Sequence, residues 1–197
     1  NMIHFHSAQH TRHKLPLMNT LIEKEELEKA DPYVHKAAIG LGKTWKGRHL
    51  RGDDYLRRNW FQVRDADQVF AIGKWMPNYS VYEVGRLGRV DGGTGWGVQM
   101  AIDKETPVFF FDQKSGEWWT YDYSIDKEYA SSNPNAPPEV IGWVNMKREG
   151  PHGEVPTIRG QSAEGPVKFA GIGTNSINEL GKEAIRDVYK ATKQESY

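Results

Sequence analysis

Residues 69–73 read Val-Phe-Ala-Ile-Gly, and residues 91–102 read Asp-Gly-Gly-Thr-Gly-Trp-Gly-Val-Gln-Met-Ala-Ile. The first stretch is a continuous apolar run closed by glycine, which is typical of a strand buried on both faces. The second stretch has four glycines within six residues, followed by apolar residues at helical spacing. We therefore predict a strand at Val69–Ile72, a glycine-rich turn at Gly92–Gly97, and a helix that begins near Gly95.

The same order of strand, loop and helix recurs along the chain. Pro107–Phe111 and Val167–Ala170 are further apolar runs, and a helical pattern extends from Asp53 or Asp54 to about Ala66. Alternating strands and helices are typical of an α/β domain with a parallel sheet. We predict a Rossmann-like, doubly wound, mostly parallel sheet. A last helix is expected after a capping box of Ser176 and Glu179.

The expected domain organisation is one nucleotide-binding domain over residues 1–197. A β-hairpin insertion is expected at about 74–91 and an irregular segment at about 114–165. Near the start, we predict a strand at Met2–His6 and a helix at Asn19–Ala30, capped by Asn19. The chain opens directly on an apolar run, so we expect that an earlier element precedes it.

Composition narrows the classes of function. Lysine and arginine number 26, as do aspartate and glutamate, so the chain lacks the broad basic field of a nucleic-acid binder. There is no cysteine, and no apolar run approaches the roughly 18 residues of a membrane span. We expect a cytoplasmic protein with no membrane or nucleic-acid partner. Most of the seven tryptophans are expected to pack in the core.

Two glycine-rich segments are candidate ligand sites, because glycine lets the backbone approach a ligand and the free N–H groups of a helix start favour an anion. The alternative for each is a turn without a ligand. The candidate phosphate-binding residues of the first segment are Gly92, Gly93, Thr94, Gly95, Trp96 and Gly97. Those of the second segment, read as the exit loop of a strand, are Gly171, Gly173 and Thr174.

Polar residues near these segments add candidates. Asp112 and Gln113 follow the Pro107–Phe111 strand and are expected to hold a ribose or base, although Asp112 is equally suited to an Asx-turn. His4 and His6 share the spacing of a metal chelate, but no carboxylate accompanies them. We expect no metal and no cofactor.

The pattern resembles the Lonely Guy phosphoribohydrolases, a family long labelled lysine decarboxylase. The resemblance rests on Leu56-Arg57-Arg58-Asn59, Ala66-Asp67, Val69–Ile72 and Gly92-Gly93-Thr94-Gly95. That family belongs, with the DNA-processing protein A proteins, to the SLOG superfamily of Rossmann-like nucleotide-binding proteins. The chain is also similar to a phage-type branch that shares the Phe169–Thr174 element. The resemblance implies that Arg58 pairs with a phosphate.

The departures from the family concern catalysis. Gln99 stands where the family has a glutamate thought to assist cleavage of the glycosidic bond, and a neutral amide cannot act as a general acid or base. Asn59 replaces a lysine, Trp96 a threonine and Asp91 a proline. Arg58 and Gln99 remain the only catalytic candidates that the resemblance offers.

The sequence thus predicts a protein that binds a nucleotide or nucleotide-derived small molecule, as a sensor or binding protein. The alternatives are a hydrolase that cleaves an N-glycosidic bond in a nucleoside monophosphate, and a nucleic-acid-handling module. We expect a homo-oligomer, because relatives commonly form dimers through helices. Arg58 is expected to reach the phosphate through a bent loop or from a second subunit.

Overall fold

The structure is a computed structural model that describes residues 4–7, 19–22, 24–47, 51–76, 89–132, 142–146, 154–159, 161–162, 165–174 and 176–194. The helices in the described ranges are α1 (Lys24–Glu28), α2 (Asp31–Gly40), α3 (Arg51–Val63), α4 (Gly92–Asp103), α5 (Tyr123–Ser132) and α6 (Glu179–Gln194). The strands there are β1 (His4–Ser7), β2 (Asn19–Ile22), β3 (Gln68–Gly73), β4 (Trp75–Met76), β5 (Arg89–Val90), β6 (Val108–Asp112), β7 (Glu117–Tyr121), β8 (Trp143–Asn145), β9 (Gln161–Ser162), β10 (Gly165–Pro166) and β11 (Phe169–Gly173).

The central sheet has five strands in the order β11-β3-β6-β7-β8. β11, β3 and β6 run parallel, and β7 and β8 continue the sheet as antiparallel neighbours. The chain is therefore mixed α/β, with a mostly parallel sheet flanked by helices. This arrangement confirms the predicted class and is compatible with a Rossmann-like fold.

Alternate residues of β3 pack into two separate hydrophobic clusters, which shows how the helices flank the sheet. Val69 and Ala71 belong to a cluster that includes buried residues of α2, α3 and α4; we call this side the first face. Phe70 and Ile72 belong to a cluster with two buried residues of α6, on the second face. β3 is almost fully buried because both of its faces are covered.

The seven tryptophans take part in this core, as expected from their packing role. Trp60, Trp96, Trp118 and Trp143 are buried. The other three, Trp45, Trp75 and Trp119, are partly buried and pack against the first-face cluster. None of the seven lines the cleft described below.

The glycine-rich segment is the start of α4 rather than a turn before it. The helix begins at Gly92, and the extended Asp91 is its N-cap, with a carboxylate that accepts a hydrogen bond from the Gly92 N–H. The prediction of a helix start near Gly95 was therefore late by one turn. The glycines allow α4 to pack against its neighbours at short range.

Packing is tight at two of these glycines. A Cβ atom at Gly95 would lie 1.9 Å from the carbonyl oxygen of Val90, and one at Gly97 would lie 2.7 Å from Cδ1 of Ile172. The Val90 carbonyl is a backbone group that cannot give way, so α4 can approach β5 only without a side chain at Gly95. At Gly97 the Ile172 side chain of β11 would have to shift.

Several predicted elements differ in the structure. Residues 19–22 form β2, parallel to β1, so Asn19 does not cap a helix and only Lys24–Glu28 is helical. The segment expected to be irregular contains β7, α5 and β8. α6 is capped by Asn178, whose side chain accepts from the N–H of Gly181, so the capping box at Ser176 is not formed.

The insertion after β3 begins and ends as an antiparallel pair. Trp75 lies opposite Val90, and Met76 lies opposite Arg89. The remainder of the insertion, residues 77–88, lies outside the described residues. No helix within the described ranges is long and apolar enough to cross a membrane.

We predict that Gly95→Ala lowers the free energy of unfolding by about 2–3 kcal/mol or more, because the new methyl group overlaps a main-chain oxygen. Urea denaturation measures this loss. Gly93→Ala is the matched control, since no atom lies within 4 Å of its Cβ position and its stability should change little. Equal stabilities of the two variants would contradict the packing role of Gly95.

Candidate functional site

A cleft of about 460 Å³ lies beside the carboxyl ends of β3 and β11. Its volume falls within the usual range for small-molecule sites. Parallel strands bring their carboxyl ends to one edge, where α/β proteins bind ligands. The lining residues come from α3, the end of β3, the start of α4 and β11: Tyr55, Leu56, Asn59, Gln62, Gly73, Lys74, Asp91, Gly92, Gly93, Thr94, Gly171, Ile172, Gly173, Thr174 and Ser176.

The start of α4 offers hydrogen-bond donors to this cleft. The N–H of Gly92 donates to the Asp91 carboxylate at 2.6 Å, and that of Gly95 donates to the Asp91 carbonyl at 3.1 Å. Between them, the N–H groups of Gly93 and Thr94 have no acceptor among the described residues. The first N–H groups of a helix lack intrahelical partners and bind anions well.

Asn59 fixes the orientation of this helix start. Its side-chain amide is buried and donates to the carbonyl oxygen of Gly93 at 2.9 Å. The peptide that follows Gly93 is thereby held by α3, which places the Thr94 N–H. Asn59 was noted in the sequence only as the replacement of a family lysine. Its position one helical turn after Tyr55 is the signal that places both residues on the cleft side of α3.

The glycines differ in their surroundings. Gly95 and Gly97 lie in close packing, as described above, and Gly92 has a φ of +63°, which favours glycine. Gly93, Gly171 and Gly173 have ordinary backbone angles and no atom within 4 Å of their Cβ positions. The fold makes no demand for glycine at these three cleft positions, and the absence of side chains leaves their backbone accessible from the cleft.

The second glycine segment is a strand rather than an exit loop. Gly171 and Gly173 lie within β11, and both are exposed. Thr174 follows the strand, with its N–H donating to the carbonyl of Ile72 at 3.2 Å. Its hydroxyl accepts from the N–H of Ser176, and both residues line the cleft.

α3 itself reaches the cleft, with Tyr55, Asn59 and Gln62 among the lining residues. The helix precedes β3 and runs back across the first face, so its early residues lie near the carboxyl edge. Arg58, however, does not line the cleft. Its guanidinium lies 5.6 Å from the ring centre of Tyr55, and its Nε is buried without a partner among the described residues. A contact between Arg58 and a bound phosphate stays a prediction.

Burial lowers the pKa of Arg58, because a charged guanidinium is costly away from water. The neighbouring Arg57 is in the opposite situation. It is almost fully buried, and its Nε donates to the Asp31 carboxylate at 2.6 Å, while Asp54 accepts at 3.3 Å. These hydrogen bonds raise the pKa of Arg57 and join α2 to α3, which is a structural role.

Asp112 and Gln113 are buried and do not line the cleft. The Asp112 carboxylate accepts from the N–H groups of Lys114 and Ser115, which is the turn alternative that the sequence left open. The Gln113 side-chain oxygen accepts from the N–H of Asn178 at 2.7 Å. Both residues thus hold the protein's own loops together at the carboxyl edge.

Gln99 is also remote from the cleft lining. It is buried in α4, and its side-chain amide donates to Oδ1 of Asp103 at 2.9 Å. The other carboxylate oxygen of Asp103 is buried without a partner among the described residues. Burial raises the pKa of Asp103 above its ordinary value of 3.8, while the Gln99 hydrogen bond and Lys36 act in the opposite direction.

Few charges face the cleft. Lys74 and Asp91 are its only lysine, arginine or carboxylate lining residues among those described. Behind the α4 start, the Lys43 ammonium lies 5.5 Å from the ring centre of the buried Trp96. Burial and the nearby Arg89 lower the pKa of Lys43, whereas Asp91 raises it. Neither Trp96 nor Lys43 lines the cleft.

His4 and His6 lie in β1, whose side chains are outside the described part of the structure. The structure therefore does not test whether they bind a metal. Within the described ranges, no group of three or more metal-ligating side chains is present.

Comparison of the chain with protein-family models, with curated proteins and with solved structures finds no match in any of the three. The interpretation of the site therefore rests on its own geometry.

We predict that Asp103→Asn stabilises the protein at pH 7, because the variant has no charge to bury. The folded state holds the Asp103 proton more tightly than the unfolded state, so the wild type gains stability from this group as the pH falls. The difference between variant and wild type should therefore shrink from pH 7 towards about pH 4. Urea denaturation across this range measures it.

Asp122→Asn is the control, because the pKa of Asp122 is shifted in the opposite direction to that of Asp103. Hydrogen bonds from Ser124 lower the pKa of this exposed carboxylate, so its contribution to stability is present at neutral pH and is lost on acidification. A stability difference for Asp103→Asn that does not change with pH would contradict the assignment.

Proposed function

We propose that the protein binds a nucleotide or nucleotide-derived small molecule in the cleft, as a sensor or binding protein. One observation carries the proposal: the N–H groups of Gly93 and Thr94 have no acceptor among the described residues, and they lie in a cleft walled by glycines that packing does not require. A phosphate oxygen fits such a pair of backbone donors at a helix start.

The remainder of the cleft supplies the other contacts. Thr174 and Ser176 offer hydroxyl groups beside the α4 start, and Tyr55 offers an aromatic ring on the opposite wall. These are contacts suited to a ribose and a base. Within this proposal, the sheet is a Rossmann-like, doubly wound sheet of the SLOG type, and the β4–β5 pair begins and ends the insertion beside its ligand edge.

The scarcity of charge bears on the class of nucleotide. One lysine and one carboxylate line the cleft, and the carboxylate of Asp91 already occupies the Gly92 N–H. A polyphosphate would bring several negative charges against this wall without matching cations. The site therefore favours a ligand with a single phosphate, such as a nucleoside monophosphate.

Gln99 gives no support to the hydrolase alternative, because it is a buried amide that does not line the cleft. Incubation of the protein with nucleoside monophosphates, followed by chromatography, separates the alternatives. We expect saturable binding without turnover. Release of free base would establish a hydrolase and overturn the sensor, whereas salt-dependent retention of oligonucleotides would establish a nucleic-acid module.

We predict that Lys74→Ala weakens the binding of a nucleoside monophosphate by about tenfold, which corresponds to one charge-assisted contact. Lys114→Ala is the matched control, because this exposed lysine also follows a strand of the same sheet but does not line the cleft. Calorimetric titration of both variants measures the difference. If the two variants bind the nucleotide with equal affinity, Lys74 does not contact the ligand.

Gly93→Val tests the donors directly. A Cβ atom at this position meets no other atom within 4 Å, and the valine methyl groups stand close to the Gly93 N–H that we assign to the phosphate. We expect binding to fall by at least about tenfold while the free energy of unfolding changes little. Arg58→Ala, examined in parallel, shows whether this residue joins the phosphate when the ligand is bound.

A further inference from the structure

The outer edge of β11 presents backbone groups that pair with no strand in the described ranges. β11 is an edge strand of the central sheet and pairs only with β3 within the described part of the chain. Its sequence, Phe-Ala-Gly-Ile-Gly, contains none of the charged residues, prolines or bulges that protect exposed edges. Phe169, Gly171 and Gly173 are exposed.

The backbone register shows which groups the edge presents. The Thr174 N–H donates to the Ile72 carbonyl, and the Lys168 carbonyl accepts from the Asp67 N–H. These are even-numbered residues of the β11 segment, and alternate residues of a strand direct their hydrogen-bonding groups to the same side. Phe169, Gly171 and Gly173 therefore direct their N–H and carbonyl groups away from β3.

We propose that a second copy of the chain pairs along this edge, with the two β11 strands antiparallel about a two-fold axis at Gly171. Phe169 then lies opposite Gly173 of the partner subunit, and Gly171 opposite its own equivalent. The odd-numbered residues of both strands face each other with unpaired donors and acceptors. The result is one continuous sheet through an isologous interface.

The shape of the edge is complementary to itself. Phe169 lies on the second face, where its ring contacts Phe70 and Tyr189 at centroid distances of 6.1 and 6.2 Å and remains 41% exposed. Gly173 leaves open space on the same face. Antiparallel pairing lays each phenylalanine ring over a glycine of the partner, a combination that stabilises paired strands.

Charge along α6 agrees with the antiparallel arrangement. The contact between Phe169 and Tyr189 places the later half of α6 beside the start of β11. The two-fold axis brings that half level with the earlier half of α6 in the other subunit. The earlier half carries Glu179, Lys182 and Glu183, whereas the later half carries Arg186, Asp187, Lys190 and Lys193. The halves therefore have opposite net charge.

A second copy on this edge also borders the cleft, because Gly171 and Gly173 line it. The strand pairing ends at Gly173, and the donors of Gly93 and Thr94 lie beyond that point at the start of α4. The partner would lie beside the β11 side of the cleft and leave these donors accessible. The inference does not depend on the proposed function, because the pairing involves no nucleotide.

Sedimentation velocity of the nucleotide-free chain over a range of concentrations tests the proposal. We expect the wild type to sediment as a dimer. Phe169→Lys and Gly173→Val should each raise the dimer dissociation constant by at least about tenfold, because the first introduces a charge and the second fills the space for the partner's ring.

Val144→Lys is the matched control, since Val144 is an exposed apolar residue of β8, the strand at the opposite edge of the same sheet. It should leave the dimer unchanged. Circular dichroism establishes that each variant is folded, and Gly173→Val has open space in the monomer. A monomeric wild type, or a dimer that neither β11 variant weakens, would overturn the proposal.

Discussion

The close approach of α4 to its neighbours is the constraint on which the rest of the site depends. With no side chains at Gly95 and Gly97, the helix lies directly against the carbonyl of Val90 and the side chain of Ile172. This contact holds the first turn of α4 at the carboxyl edge of the sheet. Asn59 then joins that turn to α3. The N–H groups of Gly93 and Thr94, which have no acceptor among the described residues, are held in place by these contacts.

The features that the sequence predicts well are those set by local chemistry. A strand buried on both faces must be apolar throughout, so β3 and β6 are recognisable without knowledge of their neighbours. Clustered glycines followed by an apolar helical pattern mark a helix start near the carboxyl edge, and the cleft lies there. The α/β class follows from the repeated order of these elements.

The remainder depends on tertiary contacts that no short pattern contains. Gly93 and Gly95 are the same residue type two positions apart, yet one faces open space and the other a carbonyl oxygen. Arg58 and Asn59 are adjacent in the chain, but a rotation of about 100° per helical residue directs only the second towards the cleft. Residues 19–22 form β2 instead of the start of the predicted helix, because they pair with β1, and local sequence does not show this long-range contact.

The site and the open edge share one property, which is that the backbone offers the binding groups. Side-chain charge is sparse in the cleft, while helix N–H groups and glycine-lined walls are exposed to it. A backbone site is rigid, because secondary structure fixes its donors, and it depends on the absence of side chains. For such a protein, the glycines that the fold does not require indicate where the backbone contacts another molecule. Here they lie on α4 and β11, the two elements that we assign to the ligand and to the second copy.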